Sequence, residues 1–294
     1  GVDYKATVQD WLDAFAVAAG MSYSFKVDTS LAGATNRDFT LLVDAGSNNF
    51  DIDWGDGNTE QSTGGGTSEY GHTYATAGEY TVTVTVKAGG AFSPYYEPSI
   101  PQVILDPRIK PNAQAVTEIV SVTSGFPWSD LTGAWGVHTS LTSFPVIDLT
   151  GITTLNKTWD GCSGLKSFPV LNTSKVTMFQ GTWKECSGLT SFPSHADGLD
   201  LSKGTDFYSA WFACGELTSF PLIDTSSAKT FQGTWTYCRK LTSFPQLNTS
   251  NVEKFYEAWM ECIGLTSFPQ IDTSSGTDFG WAWKGCAGLT SFPS

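Results

Sequence analysis

Charge is scarce in this chain: only 15% of its 294 residues are Asp, Glu, Lys or Arg, and histidine and methionine occur three times each. Three scattered histidines, His72, His138 and His195, give no pairing with a nucleophile and an orienting acid, which a catalytic triad requires. A Gly-rich phosphate loop and a metalloprotease helix are also missing, so an enzyme is not expected. No stretch approaches the ~18 consecutive apolar residues of a membrane-spanning helix, and the chain is expected to be soluble. Basic residues are outnumbered, 16 against 29 acidic, for a net charge of -13. Such a field repels phosphate backbones and anionic lipid, so nucleic acid is not an expected partner and membrane insertion is not expected. The chain opens on Gly1 without a basic segment ahead of an apolar run, so no intact signal peptide is expected. That start, and a stop at Ser294 inside a repeat, read as a piece of a longer protein.

What is abundant is aromatic and small: 11 Trp, 19 Phe and 30 Gly, a mixture suited to extended β-rich surfaces. The length allows two domains. The second half is periodic. LTSFP begins at Leu141, Leu189, Leu217, Leu241, Leu265 and Leu289, and LKSFP at Leu165, so one unit recurs at steps of 24 residues with a single step of 28. Trp135, Trp159, Trp183, Trp211, Trp235, Trp259 and Trp283 fall in register. Three residues after each come His138, Cys162, Cys186, Cys214, Cys238, Cys262 and Cys286. A unit this short cannot bury its apolar face alone, so the units are expected to stack, with Trp and Cys as two internal ladders. LTSF, β-favouring and closed by Pro, reads as one strand per rung in a parallel sheet. The segment leading to each Trp reads as a short helix or 3₁₀ turn.

These units resemble the BspA-like leucine-rich repeats of bacterial surface proteins, whose pattern has an aromatic, two variable residues, Cys, then Leu and a D-T-S turn. The likeness covers residues ~116–294. It departs in placing Trp where many relatives have Met-Phe, and in the Phe-Pro end of its strand.

The first half differs. DIDWGDG from Asp51 to Gly57 suits a tight hairpin turn, and HTYATAGEYTVTVTV from His72 to Val86 carries the alternation of a half-buried strand at Tyr80, Val82, Val84 and Val86. These phrases resemble the PKD domain, an immunoglobulin-like β-sandwich. The resemblance implies an extracellular spacer, found in surface and phage-associated proteins ahead of repeats of this type. The expected fold is therefore mainly β: a PKD-like immunoglobulin-type β-sandwich over residues 22–88, a Pro/Gly-rich connector over 89–115, and a leucine-rich-repeat solenoid over 116–294 with one short strand per ~24-residue rung. Val116 to Val122 reads as its atypical first rung and His138 as part of a cap. Val8, Trp11, Leu12, Phe15 and Ala19 predict an N-terminal amphipathic helical segment over residues 1–21, packed on the sandwich or on a neighbouring chain and so a route to oligomers.

Cysteines supplied one per rung would lie about 4.8 Å apart, beyond the ~3.5–4.5 Å between bridged Cβ atoms, and they give a column instead of the close pairs of a zinc site. Buried free thiols are expected, and no cofactor. The column of Asp148, Asn172, Asp200, Asp224, Asn248 and Asp272 could line up oxygens for calcium, but its amides break the run of charge and favour backbone-bonding turns. The cluster Asp51, Asp53 and Asp56 reads likewise as a hairpin.

Variation concentrates just after each Trp, at Asp160, Lys184, Phe212, Thr236, Met260 and Lys284, then at Gly161, Glu185, Ala213, Tyr237, Glu261 and Gly285. Tyr208, Tyr256 and Trp281 add aromatics before the Trp column. Lys184, Tyr208, Phe212, Tyr237, Tyr256, Met260, Trp281 and Lys284 form the candidate ligand surface, with neutral drift on a solvated face as the alternative. The expected function is a recognition or adhesion module on a cell or virion surface, binding a protein or glycan receptor. The alternative is a structural subunit of a virion fibre, decoration protein or extracellular filament that contacts neighbouring subunits.

Overall fold

The computed structural model describes residues 21–31, 37–44, 50–61, 67–87, 115–123 and 131–292. The N-terminal helix expected up to residue 21 and the connector expected up to 115 lie outside these residues, except for Met21 and Ala115.

Among the described residues seven strands form two antiparallel sheets: β1 (Ser22–Asp28), β2 (Asp38–Asp44), β3 (Phe50–Asp53), β4 (Thr59–Gln61), β5 (Thr67–Thr73), β6 (Glu79–Val86) and β7 (Val116–Val122). The larger sheet runs β4-β3-β6-β1-β7, and β2 pairs with β5 in the smaller. Period-2 patterning sets the faces: Tyr23, Phe25 and Val27 of β1, Ile52 of β3, and Val82 and Val84 of β6 are buried, and Phe39, Trp54 and Tyr74 complete the core. Between β3 and β4 the turn uses Gly55 and Gly57, both with positive φ, as the Gly-Asp-Gly phrase requires.

β7, expected as the first rung, is instead the fifth strand of the larger sheet, paired antiparallel with β1. It also carries a rung contact. Glu118 bridges in parallel to Ser143, and the Thr142 amide and hydroxyl both donate to the Thr117 carbonyl. One edge strand therefore serves both architectures, and among the described residues one buried apolar cluster runs from Tyr23 to Cys286.

From Leu131 onward the 24-residue units lie on one another. Two expectations about their local structure need correction. LTSF is not a continuous strand: its pairing is limited to isolated parallel bridges, Glu118 to Ser143 and Ser219 to Ser243. The continuous column of bridges runs elsewhere, through Thr154, Met178, Asp206, Thr230, Lys254 and Asp278, each just ahead of a Leu or Phe that is buried in all but the last, Phe279. The segment around each Trp is neither helix nor 3₁₀ but a run of overlapping turns.

Both corrections have a backbone cause. Pro145, Pro169, Pro193, Pro221, Pro245 and Pro269 lack the N–H that would extend the LTSF pairing. On either side of the Trp, the residues two before and two after it adopt positive φ in every rung: Lys157 and Gly161, Ser209 and Ala213, Glu257 and Glu261, and their equivalents. A left-handed residue at every such position breaks a helix. The N–H groups then alternate in direction. Lys157, Trp159 and Gly161 donate to carbonyls of the next rung at 2.7–2.9 Å, while Thr158, Asp160 and Cys162 close turns within their own rung at 3.1–3.2 Å. The backbone is satisfied without helix or strand, as a buried backbone must be. The 28-residue step is accommodated by a capped 3₁₀ turn, His195–Asp197, whose Ser194 and Asp197 form a reciprocal capping box.

Candidate functional site

The rung interior decides which residues are left for the surface. Trp159, Trp183, Trp211, Trp235 and Trp259 are fully buried, and successive indoles from Trp135 to Trp283 stack with centroids 5.1–6.1 Å apart. Phe144, Phe168, Phe192, Phe220, Phe244 and Phe268 each meet two of these indoles edge-on at 4.7–5.5 Å, a favoured arrangement for ring quadrupoles. All six cysteines are free and buried. Each thiol donates to the Trp carbonyl of the preceding rung at 2.9–3.2 Å. Burial pushes these thiols up, Cys238 to about 12 and Cys286 to about 11, so they are inert as nucleophiles. His138 takes the Cys position in the first rung, buried, with its Nδ1 3.0 Å from the Trp135 carbonyl.

The Asp/Asn column is engaged with backbone. Asp148, Asn172, Asp200, Asp224, Asn248 and Asp272 each accept, through Oδ1, the N–H two residues on, at 2.8–3.3 Å. The Thr column of LTSF is structural too: Thr142, Thr190, Thr242 and Thr266 donate their hydroxyls to carbonyls of the preceding rung.

The eight candidate surface residues separate into two clusters of three and two residues outside them, Met260 and Tyr208. Lys184 lies 5.8 Å over the Phe212 ring, Phe212 meets Tyr237 edge-on at 5.5 Å, and Arg239 lies 5.3 Å over Tyr237. Lys184 also bonds Glu185 at 2.8 Å and approaches Asp160 at 3.7 Å, while burial holds the Asp160 carboxyl above its usual range. In the second cluster Tyr256 lies 5.7 Å from Trp281, and Lys284 sits 4.5 Å over that indole. Met260 is half-buried. Two variable positions do not belong to the surface: Thr236 and Gly161 are buried, and the Thr236 hydroxyl donates to the Glu257 carbonyl of the next rung.

Tyr208, 39% exposed, belongs to neither cluster. It lines a shallow groove of about 410 Å³ with Gln180, Gln232 and Lys254 over the column of bridges. The glutamines and Arg239 were not among the sequence candidates. The glutamines carry a sequence signal, because the residues three before each Trp read Thr132, Asn156, Gln180, Tyr208, Gln232, Tyr256 and Gly280, with amide and aromatic alternating from Gln180 to Tyr256; Arg239 carries none.

In the sandwich, the DWGDG hairpin builds a compact polar knot. Trp54 stacks on His72 with centroids 5.0 Å apart, His72 Nε2 is 2.7 Å from Asp56 Oδ2, and Tyr74 donates its hydroxyl to the Trp54 carbonyl. Burial acts against the Asp56 charge, yet bonds from His72 and Asn58 hold its carboxyl below the usual range. Asp53 and Asp56 accept turn amides, and Asp51 pairs with Lys87 at 2.6 Å, so the acidic cluster is a hairpin device.

A PKD domain family model matches residues 18–91. No curated protein and no solved structure matches the chain. The PKD-like sandwich and the rungs meet at a buried hydrogen bond, Trp135 Nε1 donating to the Tyr23 hydroxyl at 3.1 Å. Burial drives the Tyr23 phenol well above its ordinary value, which keeps that hydroxyl protonated. Among the described residues no helix is long and apolar enough to cross a membrane.

Proposed function

We propose that the chain is a non-enzymatic recognition module displayed on a cell or virion surface, with the PKD-like sandwich as spacer and BspA-like leucine-rich repeats as the solenoid that presents the binding face. The observation that carries this reading is the contrast between interior and exterior at fixed backbone phases. From Trp159 to Cys286 the Trp and Cys repeat unchanged, while in the phase just after each Trp Lys184, Phe212 and Met260 are partly exposed, Lys284 is exposed and Thr236 turns inward. Identical cores hold every rung in one geometry, so outer side chains can change without cost to the fold. Aromatics flanked by cations, as at Phe212, Tyr237 and Arg239, have the composition of binding hot spots. The PKD match supports an extracellular setting.

The test is a binding screen of the full chain against immobilised glycans and extracellular proteins. Saturable binding is expected, lost in the variant Tyr208→Ala/Phe212→Ala/Tyr237→Ala/Tyr256→Ala while circular dichroism stays unchanged. No binding across the panel, or binding untouched by the four substitutions, overturns the proposal.

A further inference from the structure

We infer that the groove over the bridge column is a binding site for a neutral, β-linked polysaccharide chain lying along the axis of the stack. The inference rests on the recognition reading above and adds a place and a ligand class to it.

The groove spans four consecutive rungs. Asp206, Thr230 and Lys254 are successive members of the bridge column beneath it, and Gln180, Tyr208 and Gln232 lie two residues beyond that column on three successive rungs. Its volume, about 410 Å³, is within the range of small-molecule sites. The backbone carrying these side chains is fixed. Asp206 Oδ1 accepts the Tyr208 amide at 2.8 Å, Thr230 Oγ1 the Gln232 amide at 3.1 Å, and Asn156 Oδ1 the Gln180 amide at 3.0 Å. A ligand therefore meets a surface already ordered, which lowers the entropy lost on binding.

The lining chemistry selects the class. Lys229 and Lys254 balance Asp206 and Glu253, and Lys229 lies 3.9 Å from Glu253, so the groove has no net charge to attract a phosphate, sulfate or uronate polymer. An exposed phenol ring offers an electron-rich face to the C–H groups of a pyranose. The primary amides on either side each offer two N–H donors and a carbonyl acceptor, the complement of vicinal hydroxyls that both donate and accept. Repetition supplies the last element. Parallel-paired chains advance about 4.8 Å per rung, close to the advance of one sugar in an extended β-linked chain. Gln180, Tyr208, Gln232 and Tyr256 on consecutive rungs would then address consecutive sugars, with an aromatic at every second one.

The full chain is titrated calorimetrically with cellohexaose and chitohexaose, and with an anionic oligogalacturonate as contrast. Binding of a neutral hexasaccharide is expected, weakened at least tenfold by Tyr208→Ala and by Gln232→Ala, and unchanged within twofold by Val146→Ala, an exposed position of the first rung. A preference for the oligogalacturonate, or neutral-sugar binding indifferent to Tyr208→Ala and Gln232→Ala, overturns the inference. If the chain binds a protein in the broad screen and neither neutral hexasaccharide here, the ligand class falls and the recognition reading stands. If it binds nothing in either experiment, both fall.

Discussion

Trp211 is the clearest place to measure what holds the rungs together. It is fully buried, stacked between Trp183 at 5.1 Å and Trp235 at 5.9 Å, and met edge-on by Phe192 at 5.2 Å and Phe220 at 4.9 Å. Replacing it with alanine returns ~150–250 Å² of lost burial, which at ~25 cal/mol per Å² is roughly 4–6 kcal/mol as an upper bound. The surrounding rings belong to rigid rungs and cannot collapse fully into the gap, so the cavity cost of a large-to-small change keeps the loss at about 3–5 kcal/mol. One term works the other way: the Trp211 Nε1–H is buried without a hydrogen-bond partner, and its removal relieves that penalty. Trp211→Phe should for that reason cost markedly less than Trp211→Ala. Trp281 is the internal control, because it is 54% exposed and Trp281→Ala should change stability by less than about 0.5 kcal/mol. Urea unfolding followed by circular dichroism reads all three. A Trp211→Ala loss below about 1 kcal/mol, or one matched by Trp281→Ala, would refute the reasoning.

Two further predictions concern the backbone and the thiols. Glu185 holds φ 58, so Glu185→Gly should raise stability by up to about 1 kcal/mol, whereas the β-branched Glu185→Val should lower it; equal urea midpoints for the two would contradict the left-handed assignment. The six thiols titrate higher folded than unfolded because burial opposes the thiolate, so their contribution is intact below about pH 9 and is lost as pH rises beyond it. Unfolding free energies measured in reductant across that window should fall steeply, and less steeply for Cys238→Ala; a flat profile would mean that the thiols are not buried.

Much of this architecture is legible before any coordinates, for a physical reason. A repeat prints every environment several times, so the common phase of the indoles and thiols marks the interior without reference to secondary structure. Local conformation was harder to read. LTSF has strand propensity, yet each Pro stops its ladder, and the flanking left-handed residues show themselves in sequence only where glycine occupies them, as at Gly133, Gly161, Gly181, Gly233 and Gly285. Lys157, Ser209 and Tyr237 take the same conformation with no compositional hint. Val116–Val122 misleads because a strand at a sandwich edge and a strand starting a stack have the same alternation. The amides of the groove carry a weaker signal: Gln180 and Gln232 share the phase of Tyr208 and Tyr256, but an exposed amide, unlike an exposed aromatic, does not stand out from an ordinary solvated surface. Among the variable positions, Thr236 is buried because a hydroxyl that finds a carbonyl in the next rung is as readily buried as exposed.

The central claim, that successive units abut and enclose one column of indoles and thiols, is tested most directly by titrating the thiols with a chromogenic disulfide reagent. In the folded chain Cys162, Cys186, Cys214, Cys238 and Cys262 should resist modification, with Cys286, 8% exposed, the first to yield, and all six should react at once on adding denaturant. Six thiols reacting at free-cysteine rates in the native protein would contradict it.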